Sequence, residues 1–264
     1  LPSLNPREEL PTVRIQQRQS LKNALEKEQR KWESVPGLLD HDLRYKQAYQ
    51  ILSDPKARSA FDLSQEKDSV RDRYGRNRSG QACLLARRLV EREMPWVTVF
   101  WNPNIRGQDS APNETDQYGW DTHNDIFESM KDHLLPRFDQ SFSALLEDMD
   151  SRGLLDSTLV VCMGEFGRAP LVALEPRFAG ATPGRKHWAA TYSVVFAGAG
   201  VTKGAVVGAT DRAAAYPIQD RVTPQDIITT LFDALGVPPT EHYHDLLNRP
   251  VAVSTGKPIK KLFI

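Results

Sequence analysis

Apolar positions are sparse along residues 12–34, where Val13, Ile15, Leu21, Ala24, Leu25 and Trp32 interrupt a heavily charged run. At helical spacing this narrow stripe predicts a surface helix that packs on something else and does not fill a core. Three prolines in residues 1–11 predict an irregular lead-in. A second, shorter helix is expected over roughly 42–53, where Ser53-Asp54-Pro55 ends it. The polar stretch 61–77 (FDLSQEKDSVRDRYGRN) reads as a loop leading into a helical turn.

From residue 78 the texture changes. QACLLARRLVERE has the period of an amphipathic helix, and PWVTVFW after it is a β-branched and aromatic run of strand length. A proline-bearing loop (102–118) leads to a long helical pattern over 124–152. Pro136 is expected to open a second helix at its first turn, where the missing N–H costs nothing, and Gly153 to stop it. STLVVCM (157–163) is a continuous apolar run, the signature of a strand buried on both faces. TYSVVFAG (191–198) and AVVGAT (205–210) repeat that signature, and Thr223-Pro224 opens a helix that ends near Gly236. Strands separated by helices predict an α/β fold, with a mostly parallel central sheet flanked by helices and a helical N-terminal extension. Residues 1–60 form the charged helical segment of that plan and residues 61–264 the α/β domain. Ligands would then bind beyond the carboxyl ends of the strands.

Composition changes this picture little. A chain of 264 residues with 40% hydrophobic and 26% charged residues can bury a core without disulfide staples. Lys+Arg and Asp+Glu both number 34, so no global field favours a polyanion, and nucleic acid is not an expected partner. The charge is nevertheless uneven. Residues 1–94 hold 19 basic and 14 acidic side chains, leaving 15 and 20 for the rest. Cys83 and Cys162 both lie in apolar runs and read as small hydrophobes. No apolar stretch approaches the roughly 20 residues of a membrane span, and no export signal is visible at the start.

Three motifs carry candidate chemistry. GEFGR begins where STLVVCM ends, so Glu165 leaves a strand end between glycines that allow close approach. Arg168 offers a fork suited to a carboxylate, phosphate or sulfate, and equally suited to a salt bridge with a nearby acid. WDTHND gathers Asp121, His123, Asn124 and Asp125 just ahead of a helix. In extended chain Asp121 and His123 project to one side, as two ligands of one ion would, whereas Asn124 or Asp125 suits a helix cap. GRKHW adds Arg185, Lys186 and His187, a cation pair beside a histidine that reads as an anion clamp or as a structural histidine next to Trp188. His133 falls in a helix, His41 in a polar connector, and His242 and His244 form a weaker pair of ligand-like spacing. Together these residues form the donor set of a metal-assisted hydrolase acting on an anionic ester. No serine-hydrolase elbow and no phosphate-cradling glycine loop is present.

The stretches FDLSQEKDSVRDRYGRNRSGQACLLARRLVE, WDTHND, LLPRFDQSFSALLEDMDSRGLLDSTLVVCMGEFGRAP, GRKHW, VTPQDIITTLFDALGV and NRPV…GKPIKKLF resemble, in order over residues 61–264, the domain-of-unknown-function family 1501. By this resemblance the chain is the C-terminal part of a family member in the alkaline-phosphatase-like, or sulfatase-like, superfamily. The resemblance implies a parallel central sheet and, in active members, a two-metal site that hydrolyses phosphate or sulfate esters. Many members look exported. Two departures stand out: nothing before residue 61 matches the element that supplies the nucleophile, and Glu165-Phe166 stands where active members carry an Asp-His pair. The expected site is therefore one divalent metal (Zn, Ca or Mg), or none, with Asp121, His123, Glu165 and His187 as ligands and Arg168 and Arg185 as anion contacts. A non-catalytic relative that keeps the fold and binds a ligand is the alternative, and residues 12–34 offer a surface for a partner protein.

Overall fold

A computed structural model describes residues 12–29, 59–101 and 119–263. The chain divides into two compact units, Leu1–Arg71 with Leu84–Thr98, and Asp72–Cys83 with Val99–Ile264. The helix expected over 42–53, the C-terminal end of the 12–34 helix and His41 lie outside the described residues.

In the first unit the charged stretch forms the helix Thr12–Gln29. Leu21, one of the stripe residues, is exposed. The second half of the helix Arg78–Val90 belongs to this unit and buries two arginines. Glu66 neutralises both, with Oε1 2.9 Å from Arg87 Nη2 and 2.5 Å from Arg88 Nη1. Arg88 also donates to the carbonyls of Ala60 (2.8 Å) and Ser59 (2.6 Å). Burial raises the Glu66 pKa, but the arginine bonds and charges outweigh it and hold the carboxyl below its ordinary value.

In the second unit the 124–152 pattern is helical but broken. A single turn at Ile126–Glu128 runs into a π-helical stretch, Ser129–Leu134, before the helix Leu135–Ser151 begins with Pro136 in its first turn. Gly153 takes φ 70° just past the end, a left-handed conformation that glycine adopts without a Cβ penalty. Ala144, Leu145 and Met149 form the buried stripe of this helix. Asp148, also buried, accepts from Tyr74 Oη at 2.9 Å and from Arg152 Nε at 2.7 Å. Phe138 meets Trp101 and Trp120 edge-on and stacks on Phe142.

The parallel sheet is absent among the described residues. Four separate antiparallel pairs take its place. β1 (Val160–Cys162) pairs with β4 (Val195–Ala197), and β2 (Gly167–Arg168) with β3 (His187–Trp188). β5 (Ala209–Thr210) pairs with β6 (Pro217–Gln219), and β7 (His242–His244) with β8 (Pro250–Ala252). The α/β expectation fails for a definite reason. Parallel neighbours need a crossover of a dozen or more residues, usually a helix, and residues 163–223 contain none. STLVVCM contributes only three ladder residues, all half-buried, and Met163 is exposed, so it is not a strand covered on both faces. PWVTVFW pairs with nothing among the described residues and is not a strand. The helix Pro224–Ala234 forms as expected, with a capping box between Thr223 and Asp226.

Candidate functional site

The β2–β3 pair sets Arg168 directly opposite His187. Two further bridges, Asn124 with Pro183 and Ala173 with Gly184, bring the WDTHND segment against the chain leading into β3. The crossing is close enough that a Cβ at Gly184 would overlap the His123 carbonyl, so only glycine fits there. The sequence neighbourhoods of Asp121, Arg168 and His187 thus become one place.

Asp121 and His123 are not in extended chain. Thr122 N donates to Trp120 O (3.0 Å) and His123 N to Asp121 O (3.2 Å), two successive tight i to i+2 turns. The turns put His123 Nδ1 3.1 Å from Asp121 Oδ1. The same oxygen lies 2.8 Å from His187 Nε2 and 2.8 Å from Arg168 Nη2. One ligand atom from each of Asp121, His123 and His187 lies within 4.8 Å of the others. His123 is buried, with 7% of its surface exposed, and its Nδ1 makes no hydrogen bond among the described residues. His187 keeps nearly half of its side chain exposed, so the group opens to solvent on that side.

Burial raises the Asp121 pKa, but hydrogen bonds from His187 and Arg168 and the Arg168 charge outweigh it, and the carboxyl sits below its ordinary value. Burial, with help from the His187 and Arg168 charges, pushes the His123 imidazole below its ordinary value against the pull of Asp121. Both shifts favour a carboxylate beside a neutral imidazole at neutral pH, the forms in which these groups ligate metals.

The other candidates are placed differently. Glu165 is exposed and stands outside the Asp121, His123 and His187 group. Arg168 spends its guanidinium on Trp120 O (2.7 Å), Asp121 Oδ1 and Arg185 O (3.3 Å). Arg185 Nη1 donates to the carbonyls of Ala169 and Pro170, both at 2.6 Å, so it ties a loop together. Neither Asn124 nor Asp125 is a helix cap. Asp125 stands at the cap position without a capping bond, and both side chains reach instead into residues 175–182. His133 lies in the π-helical stretch, and His242 and His244 are exposed on β7.

Residue-type and spacing arguments missed the aromatic contacts. Phe178 stacks on His123 (centroids 4.0 Å, planes 19° apart), and Phe166 lies 4.2 Å from the His187 ring. Phe178 is isolated in sequence from every polar motif, so nothing along the chain marks it.

The family model described as "Protein of unknown function (DUF1501)" matches residues 1–263. The match extends the resemblance seen over 61–264 to the N-terminal segment. No curated protein matches, and no solved structure matches.

Proposed function

We propose that this chain, which belongs to the DUF1501 family, is a hydrolase-like protein that holds one divalent cation on Asp121, His123 and His187 and acts on an anionic ester, a phosphate or a sulfate. The observation that carries the reading is the buried His123 Nδ1, which makes no hydrogen bond yet lies beside Asp121 Oδ1 in a group that includes His187 Nε2. A buried polar atom that makes no hydrogen bond is costly unless a ligand completes it. Two imidazole nitrogens and one carboxylate oxygen suit a borderline ion such as Zn(II), and three protein ligands leave a position for water or substrate. A bound ion of this kind supplies a Lewis acid and lowers the pKa of coordinated water.

The chain's own residues do the rest. His123 would offer Nδ1 as a ligand from its buried ring. Asp121 brings the negative charge, and Arg168 holds that carboxylate in place while lending positive potential to an anionic group. Exposed His187 is the ligand nearest to incoming substrate. The relation to phosphatases and sulfatases rests on the sequence motifs, and the antiparallel pairs add nothing to it.

A second reading, a relative that binds the ion without turnover, is favoured by Arg185, whose side chain is engaged by backbone carbonyls and not by an anion. Two measurements separate the readings. Metal analysis after incubation with Zn(II) should find one ion per chain and none with His123→Ala. Turnover of an aryl phosphate or aryl sulfate that disappears with His123→Ala supports the hydrolase. A parent chain that holds no metal overturns the site itself.

A further inference from the structure

We propose that Phe178 is a positioning residue for His123 and that residues 175–182, which carry it, form a second layer of the cation site. The inference rests on the reading of Asp121, His123 and His187 as that site.

An imidazole ring turns easily about its terminal torsion, which has broad minima. A useful ligand therefore needs something to fix its plane. A protein usually does so with a hydrogen bond to the second ring nitrogen, and the layer that orients a ligand sets much of the metal affinity. Here a flat aromatic face lies against the ring instead, 4.0 Å away and 19° from parallel. That contact fixes the ring plane, and with it the direction in which Nδ1 points.

Phe178 can do this only if its own segment is held, and the residues that hold it are the two that follow His123. Asn124 Nδ2 donates to the carbonyls of Glu175 (2.9 Å) and Phe178 (3.1 Å), and its Oδ1 accepts from Glu175 N at 2.8 Å. Asp125 Oδ1 accepts from Ala181 N (2.9 Å), Thr182 N (2.7 Å) and Thr182 Oγ1 (2.8 Å). Asp125 sits at φ 53°, in the left-handed region that Asp enters more readily than most non-glycine residues, and these bonds hold it there. The ligand and the clamp on its cover therefore occupy three consecutive residues, and WDTHND both supplies two of the three ligands and fastens what lies over one of them. Phe178 as mere filler would work equally well as leucine; a residue that works by its flat face would not.

The test uses the full chain with Co(II) as probe, read by visible absorption, beside the variants Phe178→Ala, Phe178→Leu and Phe178→Tyr. Phe178→Ala should bind Co(II) roughly ten- to a hundredfold more weakly, in the range of lost outer-layer partners. Phe178→Leu should lose part of the affinity, and Phe178→Tyr should bind like the parent. A second readout needs no metal: diethyl pyrocarbonate should modify His123 faster in Phe178→Ala, with exposed His242 and His244 as internal references. Unchanged affinity and unchanged His123 reactivity in Phe178→Ala overturn the proposal, as does a leucine variant equal to the parent or a tyrosine variant as weak as alanine. If the parent binds no Co(II), the cation reading fails, and an unchanged diethyl pyrocarbonate rate then overturns the cover as well. A Phe178→Ala chain that does not fold leaves the leucine and tyrosine variants to decide.

Discussion

At the scale of single residues, three positively charged or polarisable groups converge on one oxygen. Asp121 Oδ1 faces Arg168, His187 and His123 at 2.8, 2.8 and 3.1 Å. The pH dependence of the metal-free chain follows from the two displaced groups. The folded pKa of Asp121 is depressed, so its contribution to stability is full above the unfolded value and is lost as pH falls through the lower folded one. The folded pKa of His123 is depressed too, so its contribution is full above about 6.5 and is likewise lost on acidification. Both act in one direction, and stability should fall as pH drops below neutrality. His123→Gln should flatten the upper part of that slope in denaturant melts taken from pH 7.5 to 5; an unchanged slope would remove His123 from the account. Gly184 gives a second residue-scale test. Its Cβ space is filled by the His123 backbone, so Gly184→Ala should destabilise by about 1–3 kcal/mol and should also weaken metal binding. The polar residues of this site were legible because Asp and His are conspicuous in sequence. The roles of Arg185, Asn124 and Asp125 were not, because their partners are backbone atoms far along the chain.

Elements divide by how local their causes are. The helices Arg78–Val90, Leu135–Ser151 and Pro224–Ala234 were readable from apolar period, first-turn prolines and stop signals, because each signal acts within a few residues. The π-helical turn Ser129–Leu134 was not, since the same side chains suit an α-helix. Strands depended on partners. PWVTVFW and AVVGAT have the composition of strands, yet among the described residues the first finds no ladder and the second contributes only Ala209–Thr210. The start of the Pro224–Ala234 helix allows a direct test of local control. Thr223 Oγ1 and N both donate to Asp226 Oδ2, at 2.7 and 2.8 Å, and Lys257 N donates to Oδ1 at 2.8 Å. The Lys257 bond first, then those from Thr223, hold the Asp226 carboxyl below its ordinary value. Its contribution should therefore disappear as pH falls through that lowered value, never as pH rises. Asp226→Ala should cost about 0.5–2 kcal/mol at neutral pH, the range for a lost helix cap. Equal melting of parent and variant would show that the box contributes nothing.

For the molecule as a whole, the alternation of apolar runs and helices suggested a parallel sheet that is absent among the described residues. Composition and local period report which segments are buried or regular, but strand pairing is settled by contacts across long stretches of chain, and here each ladder closes on its own antiparallel neighbour. Asp121, His123 and His187 come together without that sheet, through the β2–β3 pair and the bridge between Asn124 and Pro183. Asp121, His123 and His187, the proposed ligands, all belong to the larger unit, so a cation bound there should stabilise that unit by linkage. At a hundred times the dissociation constant the gain is about 2.7 kcal/mol, and at roughly 2–4 °C per kcal/mol for a unit of this size it should raise the melting temperature by roughly 5–10 °C. Zn(II) should produce that rise, a chelator should reverse it, and His123→Ala should abolish it. Glu165→Gln should retain it in full, because Glu165 is exposed and outside the ligand group. That last variant is the sharper control. If it loses the Zn(II)-dependent rise as completely as His123→Ala, the ion is held at the strand-end glutamate suggested by GEFGR, and the three-residue group is not the binding site.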